Sequence, residues 1–111
     1  MQAEKNVGRI LVVDDIQANV HLLTTYLKAV GYHVIPARDG EEALLKVHDA
    51  NPDLILLDVM MPKLNGFEVC RRIRADQKTK YIPVIMVTAL NDIEDKIKGQ
   101  EAGADDFISK P

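Results

Sequence analysis

The chain has 111 residues, 47% of them apolar and 28% charged, with a formal net charge of -3. That length supports one globular core and is too short for two. The acidic balance argues against a nucleic-acid or anionic-membrane surface in this segment, and no apolar run reaches the ~18 residues of a membrane span.

The lone cysteine, Cys70, excludes an internal disulfide framework and fits a reducing compartment. The opening "MQAEKNVGR" holds no hydrophobic stretch of signal-peptide type, so a cytoplasmic protein is the expectation.

Short apolar runs alternate with longer amphipathic segments. "RILVV" (9–13) reads as a first strand and runs straight into Asp14 and Asp15. Ile16, Val20, Leu23, Leu27 and Val30 then recur at intervals of three and four, the stripe of a helix, and Gly31 supplies its stop. "HVIPA" (33–37) is a second strand, and "GEEALLKVHDA" (40–50) a second helix with Ala43, Leu44 and Val47 inward. "LILL" (54–57) is a third strand, and "LNG" (64–66) a turn and helix start to which no chemistry is assigned. "GFEVCRRIRAD" (66–76) is a third helix, carrying Val69, Cys70 and Ile73 on one side. "PVIMV" (83–87) is a fourth strand. "DIEDKIKGQEAGA" (92–104) is a weaker fourth helix, in which Gly99 lowers propensity and Gly103 is a cap. "DFIS" (106–109) is a fifth strand. Nearly continuous apolar strands alternating with helices indicate a parallel sheet covered on its faces. Right-handed crossovers then predict a doubly wound α/β fold.

The residues that follow each strand now matter together. They are Asp14 and Asp15 after the first, Asp58 after the third, Thr88 after the fourth and Lys110 after the fifth. In a parallel sheet these positions share the carboxyl edge, where open α/β folds bind ligands. Two like charges at ~4 Å in an effective dielectric of ~20 repel by about 4 kcal/mol, so clustered acids call for a cation. Mg²⁺ suits the set, because it accepts a few hard oxygen ligands and keeps several waters. Cation, ammonium and hydroxyl around a carboxylate can receive a phosphoryl group. Asp58, a single acid followed at once by a loop, is the natural nucleophile.

Four motifs carry a resemblance: the "VVDD" acid pair, "LLDVMMPKLNG" around Asp58, "VTA" with Thr88 and "FISKP" with Lys110. From Arg9 to Pro111 the sequence resembles the receiver (phosphoacceptor) domain of two-component response regulators. The resemblance implies a single receiver domain over residues 1–111. Its sheet would be five-stranded and flavodoxin-like, in the order 2-1-3-4-5, lacking the family's final helix. It implies that Asp58 accepts a phosphoryl group from a histidine kinase or histidine phosphotransfer protein. Asp14, Asp15, Asp58 and the backbone carbonyl of Met60 would hold Mg²⁺, with Asp14 acting through water. Thr88 and Lys110 would bind the phosphoryl oxygens, and Ala89 would leave that pocket open. Phe107 falls at the rotating aromatic switch, working with Thr88, and the Lys110–Pro111 bond would be cis. An output domain, a downstream protein or a second copy would read the fourth helix and fifth strand. The wording of "DDIQANVHLL" and "DVMMPKLNGFEVCRRIRAD" is similar to receivers joined to diguanylate cyclases or hybrid kinases.

Each residue also has a plainer reading. Asp14 or Asp15 could cap the first helix, Asp58 could be a turn residue ahead of Pro62, and Phe107 could be core. His21, His33 and His48 lack metal spacing and read as surface or packed. Arg71, Arg72 and Arg74 read as a solvated basic face, and Cys70 as packing. A phosphoaspartate hydrolase of haloacid dehalogenase type would need a second acid two positions after its nucleophile. From Asp14 that position is Ile16. A binding-only pseudo-receiver would have lost an acid, the threonine or the lysine, and none is lost. The expectation is therefore a regulatory phosphoacceptor and not an enzyme acting on external substrates. With only residues 16–30 to cover one face of the sheet, the chain is expected to be part of a longer protein or to be covered by another chain.

Overall fold

The computed structural model describes residues 8–88 and 93–109. Its strands are β1 (Arg9–Val13), β2 (His33–Ala37), β3 (Leu54–Asp58), β4 (Val84–Thr88) and β5 (Asp106–Ser109). They form one sheet in the order β2-β1-β3-β4-β5, with every pairing parallel. The helices among the described residues are α1 (Gln17–Ala29), α2 (Gly40–Ala50), α3 (Gly66–Ala75) and α4 (Ile93–Ala102). This is the doubly wound, flavodoxin-like order.

Three strand ends differ by one residue from the periodicity reading, one of them the far end of β4, which runs through Thr88 instead of stopping at Val87. β4 starts at Val84 instead of Pro83, because proline has no N–H for the ladder; Pro83 contributes only its carbonyl, which accepts from the Ile55 N–H at 3.0 Å. β3 runs on through Asp58, whose partner in β4 is Val87, so the acid belongs to the sheet itself.

Side chains alternate across the sheet as the pleat requires. Leu11, Val13, Ile55, Leu57, Val84 and Met86 point to one face and form the main core with Ala43 and Val47 of α2, Val69, Cys70 and Ile73 of α3, and Ala102 of α4. Ile10, Val12, Val34 and Leu56 point to the other face, where Leu23 and Leu27 of α1 pack against them. Leu44 is only partly buried at the border of the main core. Gly31 and Gly103 end α1 and α4 as predicted. Each lies at positive φ (100° and 103°), and the N–H groups of Gly31 and Tyr32 return to Lys28 and Leu27 while those of Gly103 and Ala104 return to Gln100 and Gly99.

The apolar stripe of the first helix needs correction. Val20 is buried, but Ile16 and Val30 are 51% and 70% exposed. They are the N-cap and C-cap positions, outside the helical turn that aims a side chain at the sheet. On this face α1 shields mainly β1 and β2. Beyond it, Leu22, Tyr26, Leu56, Val87 and Ile108 line an apolar groove of about 240 Å³ that reaches Asp14.

Candidate functional site

Backbone pairing delivers the acids to one place. Asp14 leaves β1 with its N–H donating to the Ala37 carbonyl at the end of β2, at 3.1 Å. Its carboxylate folds back over the start of α1. Oδ1 accepts from the Ile16 N–H at 2.9 Å and Oδ2 from the Asn19 side-chain amide at 3.1 Å. The N-cap of α1 is Ile16, which makes no side-chain cap bond, so Asp14 is not the cap itself; it accepts instead from the N–H of the cap residue. Asp58 ends β3, and the next N–H, of Val59, donates to the Val87 carbonyl at 3.2 Å, pinning the acid against β4.

Asp14, Asp15 and Asp58 each place a carboxylate oxygen within 4.8 Å of the others. Asp14 and Asp58 are 2% exposed, whereas Asp15 faces solvent. The cluster is thus a well with one open wall. At such separations each ionised pair repels by about 3–4 kcal/mol at an effective dielectric of ~20, which a hard divalent cation relieves. All-oxygen, all-anionic donors with an open side fit Mg²⁺, which retains water ligands.

Thr88 ends β4, 2% exposed, opposite Ser109 in β5, so the hydroxyl and the strand that leads to Lys110 stand side by side on this rim. Met60 sits in the loop beyond Asp58 with its side chain 67% exposed. Phe107 is half-buried in β5 and packs on the main core. A methyl built on Gly99 would fall 2.4 and 2.6 Å from Phe107 ring atoms, so the ring lies directly against the α4 backbone. Lys110, Pro111 and Ala89, and with them the expected cis bond, lie outside the described residues.

Other candidates lie away from this rim. His48 Nε2 is 3.1 Å from Asp76 Oδ2, a tie between α2 and the end of α3 that sequence spacing did not reveal. Arg71 and Arg72 pair with Glu68 in exposed contacts of 3.1 and 3.4 Å, worth little. Arg74 departs from the solvated-face reading: its guanidinium bonds to the Gly103, Lys80 and Ile82 carbonyls and to Asp105. Cys70 is buried, and burial pushes its thiol up from the usual range. Asn19 was missed as a site residue; its only signal was an amide one helical turn beyond the acid pair. No helix among the described residues is long and apolar enough to cross a membrane.

Comparison with known proteins fits this geometry. The family described as "Response regulator receiver domain" matches residues 10–111. The chain belongs to the response regulator receiver family. It is 53% identical over 104 residues to "Response regulator PleD" of Caulobacter vibrioides, covering 94% of this chain and 23% of that protein. It is 48% identical over 103 residues to "Probable transcriptional regulator ycf27" of Guillardia theta, covering 93% of this chain and 39% of that one. Among solved structures it is similar to the chemotaxis protein CheY4 of Vibrio cholerae, at a TM-score of 0.91 and 35% identity, over 95% of this chain and 88% of that chain. The receiver sequence thus spans less than half the length of these curated relatives.

Proposed function

We propose that the protein is a phosphoacceptor switch of two-component signalling. Asp58 takes a phosphoryl group from a phosphohistidine on a histidine kinase or histidine phosphotransfer protein, in a Mg²⁺-dependent reaction. The observation that carries this reading is the convergence of Asp14, Asp15 and Asp58, one carboxylate oxygen from each lying within 4.8 Å of the others.

In the transfer, an Asp58 carboxylate oxygen forms a new bond to phosphorus while the donor's P–N bond breaks, and the imidazole departs with that electron pair. Asp14, Asp15, Asp58 and the Met60 carbonyl are the residues that would hold Mg²⁺. When bound, the ion supplies positive charge that offsets both the acids' repulsion and the charge on the phosphoryl oxygens. The Thr88 hydroxyl donates to one phosphoryl oxygen, and Lys110 offers its ammonium to another. Drawing Thr88 toward the modified aspartate changes the packing of Phe107 and hence the face made by α4 and β5. Two or three charge-assisted bonds at ~1.5–3 kcal/mol each approach the ~5.5 kcal/mol of a near-complete population shift.

That face is read by an output domain or downstream protein, or by a second copy of the chain. Diguanylate cyclase or hybrid-kinase modules are the output suggested by the sequence wording, and no nucleic-acid or membrane contact is assigned to this segment. The chain modifies itself and slowly loses the group, without processing external phosphoesters. We place its work in the cytoplasm, in keeping with a lone cysteine, which fits a reducing compartment.

Intact-mass measurement after acetyl phosphate or phosphoramidate with Mg²⁺ tests the reading. A single phosphoryl adduct is expected in the wild type and none in Asp58→Asn. An equal adduct in both would reject Asp58 as acceptor, and multiple turnover of p-nitrophenyl phosphate would favour a hydrolase.

A further inference from the structure

The loop that begins with the acceptor aspartate also ends against it. The Gly66 N–H, at the first residue of α3, donates to the Val59 carbonyl at 3.0 Å, closing the loop 59–65 on itself. A methyl group on Gly66 would stand 2.4 Å from the Asp58 carbonyl oxygen, 2.9 Å from Val59 Cα and 3.1 Å from the Asp58 carbonyl carbon. Carbon–oxygen contacts normally settle at ~3.3–3.6 Å, so about 1 Å of movement would be needed. Every atom in the way is backbone, which cannot swing aside as a long side chain would.

Neither partner is free to retreat. The start of α3 is set by Asn65, whose side chain accepts from the Glu68 N–H at 3.0 Å, and by Phe67, Val69 and Cys70, all buried in the main core. On the other side, β3 is locked between β1 and β4. A side chain at position 66 could therefore be accommodated only by shifting the Asp58–Val59 backbone, or the start of α3, by about 1 Å.

We propose that Gly66 is a positioning residue for the acceptor. Its missing side chain sets how far the Asp58 carboxylate stands from Asp14 and Asp15, and where the loop carrying Met60 begins. The role rests on the phosphoacceptor reading and acts through Asp58, since Gly66 touches no phosphoryl oxygen. Misplacement of a reacting group by about 1 Å lowers rates by up to ~100-fold.

The test compares wild type, Gly66→Ala and Gly31→Ala, the last a strained-backbone control at the far end of α1. Circular dichroism sets a temperature at which all three are folded. Adduct formation from acetyl phosphate is then followed by mass across Mg²⁺ concentrations, with Mn²⁺ affinity measured separately by calorimetry. Gly66→Ala is expected to react roughly ten- to a hundredfold more slowly at saturating Mg²⁺ and to bind Mn²⁺ more weakly, while Gly31→Ala keeps the wild-type rate. Wild-type rate and affinity in Gly66→Ala, or an equal loss in Gly31→Ala, would overturn the proposal. If Gly66→Ala does not fold, amide shifts of the wild type decide. On Mg²⁺ addition the Gly66 N–H should move together with those of Asp58 and Val59, and a shift no larger than that of Gly103 would sink the idea. A wild type that takes no phosphoryl group would defeat the phosphoacceptor reading alone, because ion affinity and the amide shifts still report on Gly66.

Discussion

The Arg74 guanidinium meets the Asp105 carboxylate at 2.7 Å, at the amino edge of the sheet, opposite the acid cluster. Asp105 Oδ2 also accepts from the Val84 N–H at 2.8 Å, so one carboxylate ties α3 to the start of β4 just ahead of β5. Arg74 adds bonds to the Gly103 carbonyl at 2.9 Å, the Lys80 carbonyl at 3.0 Å and the Ile82 carbonyl at 2.6 Å. This fork fastens the α3–β4 and α4–β5 connections to each other.

Arg74→Ala is accordingly expected to lose about 2–4 kcal/mol in chemical denaturation, because three carbonyls and a carboxylate lose their donor together. Arg74→Lys should recover little, since one ammonium cannot span the planar fork. An unfolding midpoint within error of the wild type in Arg74→Ala would refute the clasp.

Gly99 and Phe107 set two known effects against each other. Alanine in a helix interior gains about 1 kcal/mol over glycine, whereas forcing a methyl into a filled core costs about 1–3 kcal/mol. With ring atoms 2.4 and 2.6 Å from the added methyl, the clash should win. Gly99→Ala is expected to lower the melting temperature, and Gly99→Ala with Phe107→Leu to recover part of the loss. A stabilised single variant would show that the ring is not held against α4.

The acid cluster makes stability depend on divalent cations. In metal-free buffer, Asp58→Asn should melt above the wild type, because it removes one charge from a mutually repelling set. Added Mg²⁺ should then raise the wild type alone, by about 2.7 kcal/mol at a hundred times its dissociation constant. Equal Mg²⁺ responses in the two proteins would mean that the ion binds elsewhere.

Cys70 should be silent in the native state. Burial raises its thiol above the ordinary range, so the folded protein holds the proton more tightly than the unfolded chain. This contribution is fully present below the unfolded pKa and is lost as pH rises through the folded one. Alkylation by iodoacetamide at pH 8 is expected only after denaturant is added, and rapid labelling of the native protein would contradict the packing role.

How much of this was readable in advance differs from residue to residue. Val69, Cys70 and Ile73 were legible as a buried face because α3 packs on a broad sheet that takes the whole stripe. Ile16 and Val30 were not, because they sit at the caps of α1, and spacing cannot say where a helix stops facing its sheet. Arg74 looked like its neighbours Arg71 and Arg72. It differs because the turn after α3 and the loop before β5 come round to meet it, and nothing local encodes that meeting.

The sequence alone determined the parallel α/β architecture and, to within one residue, where the strands end, since both follow from local periodicity and from the rule that parallel strands share one carboxyl edge. Tertiary structure alone decided the exposure of each acid, the press of Gly66 on the Asp58 backbone and the seat of Phe107 on Gly99. The reason is one of length scale. Alternation and amphipathic spacing are set within a few residues along the chain, whereas an atomic contact between distant segments exists only once the sheet has fixed their separation to within about an ångström.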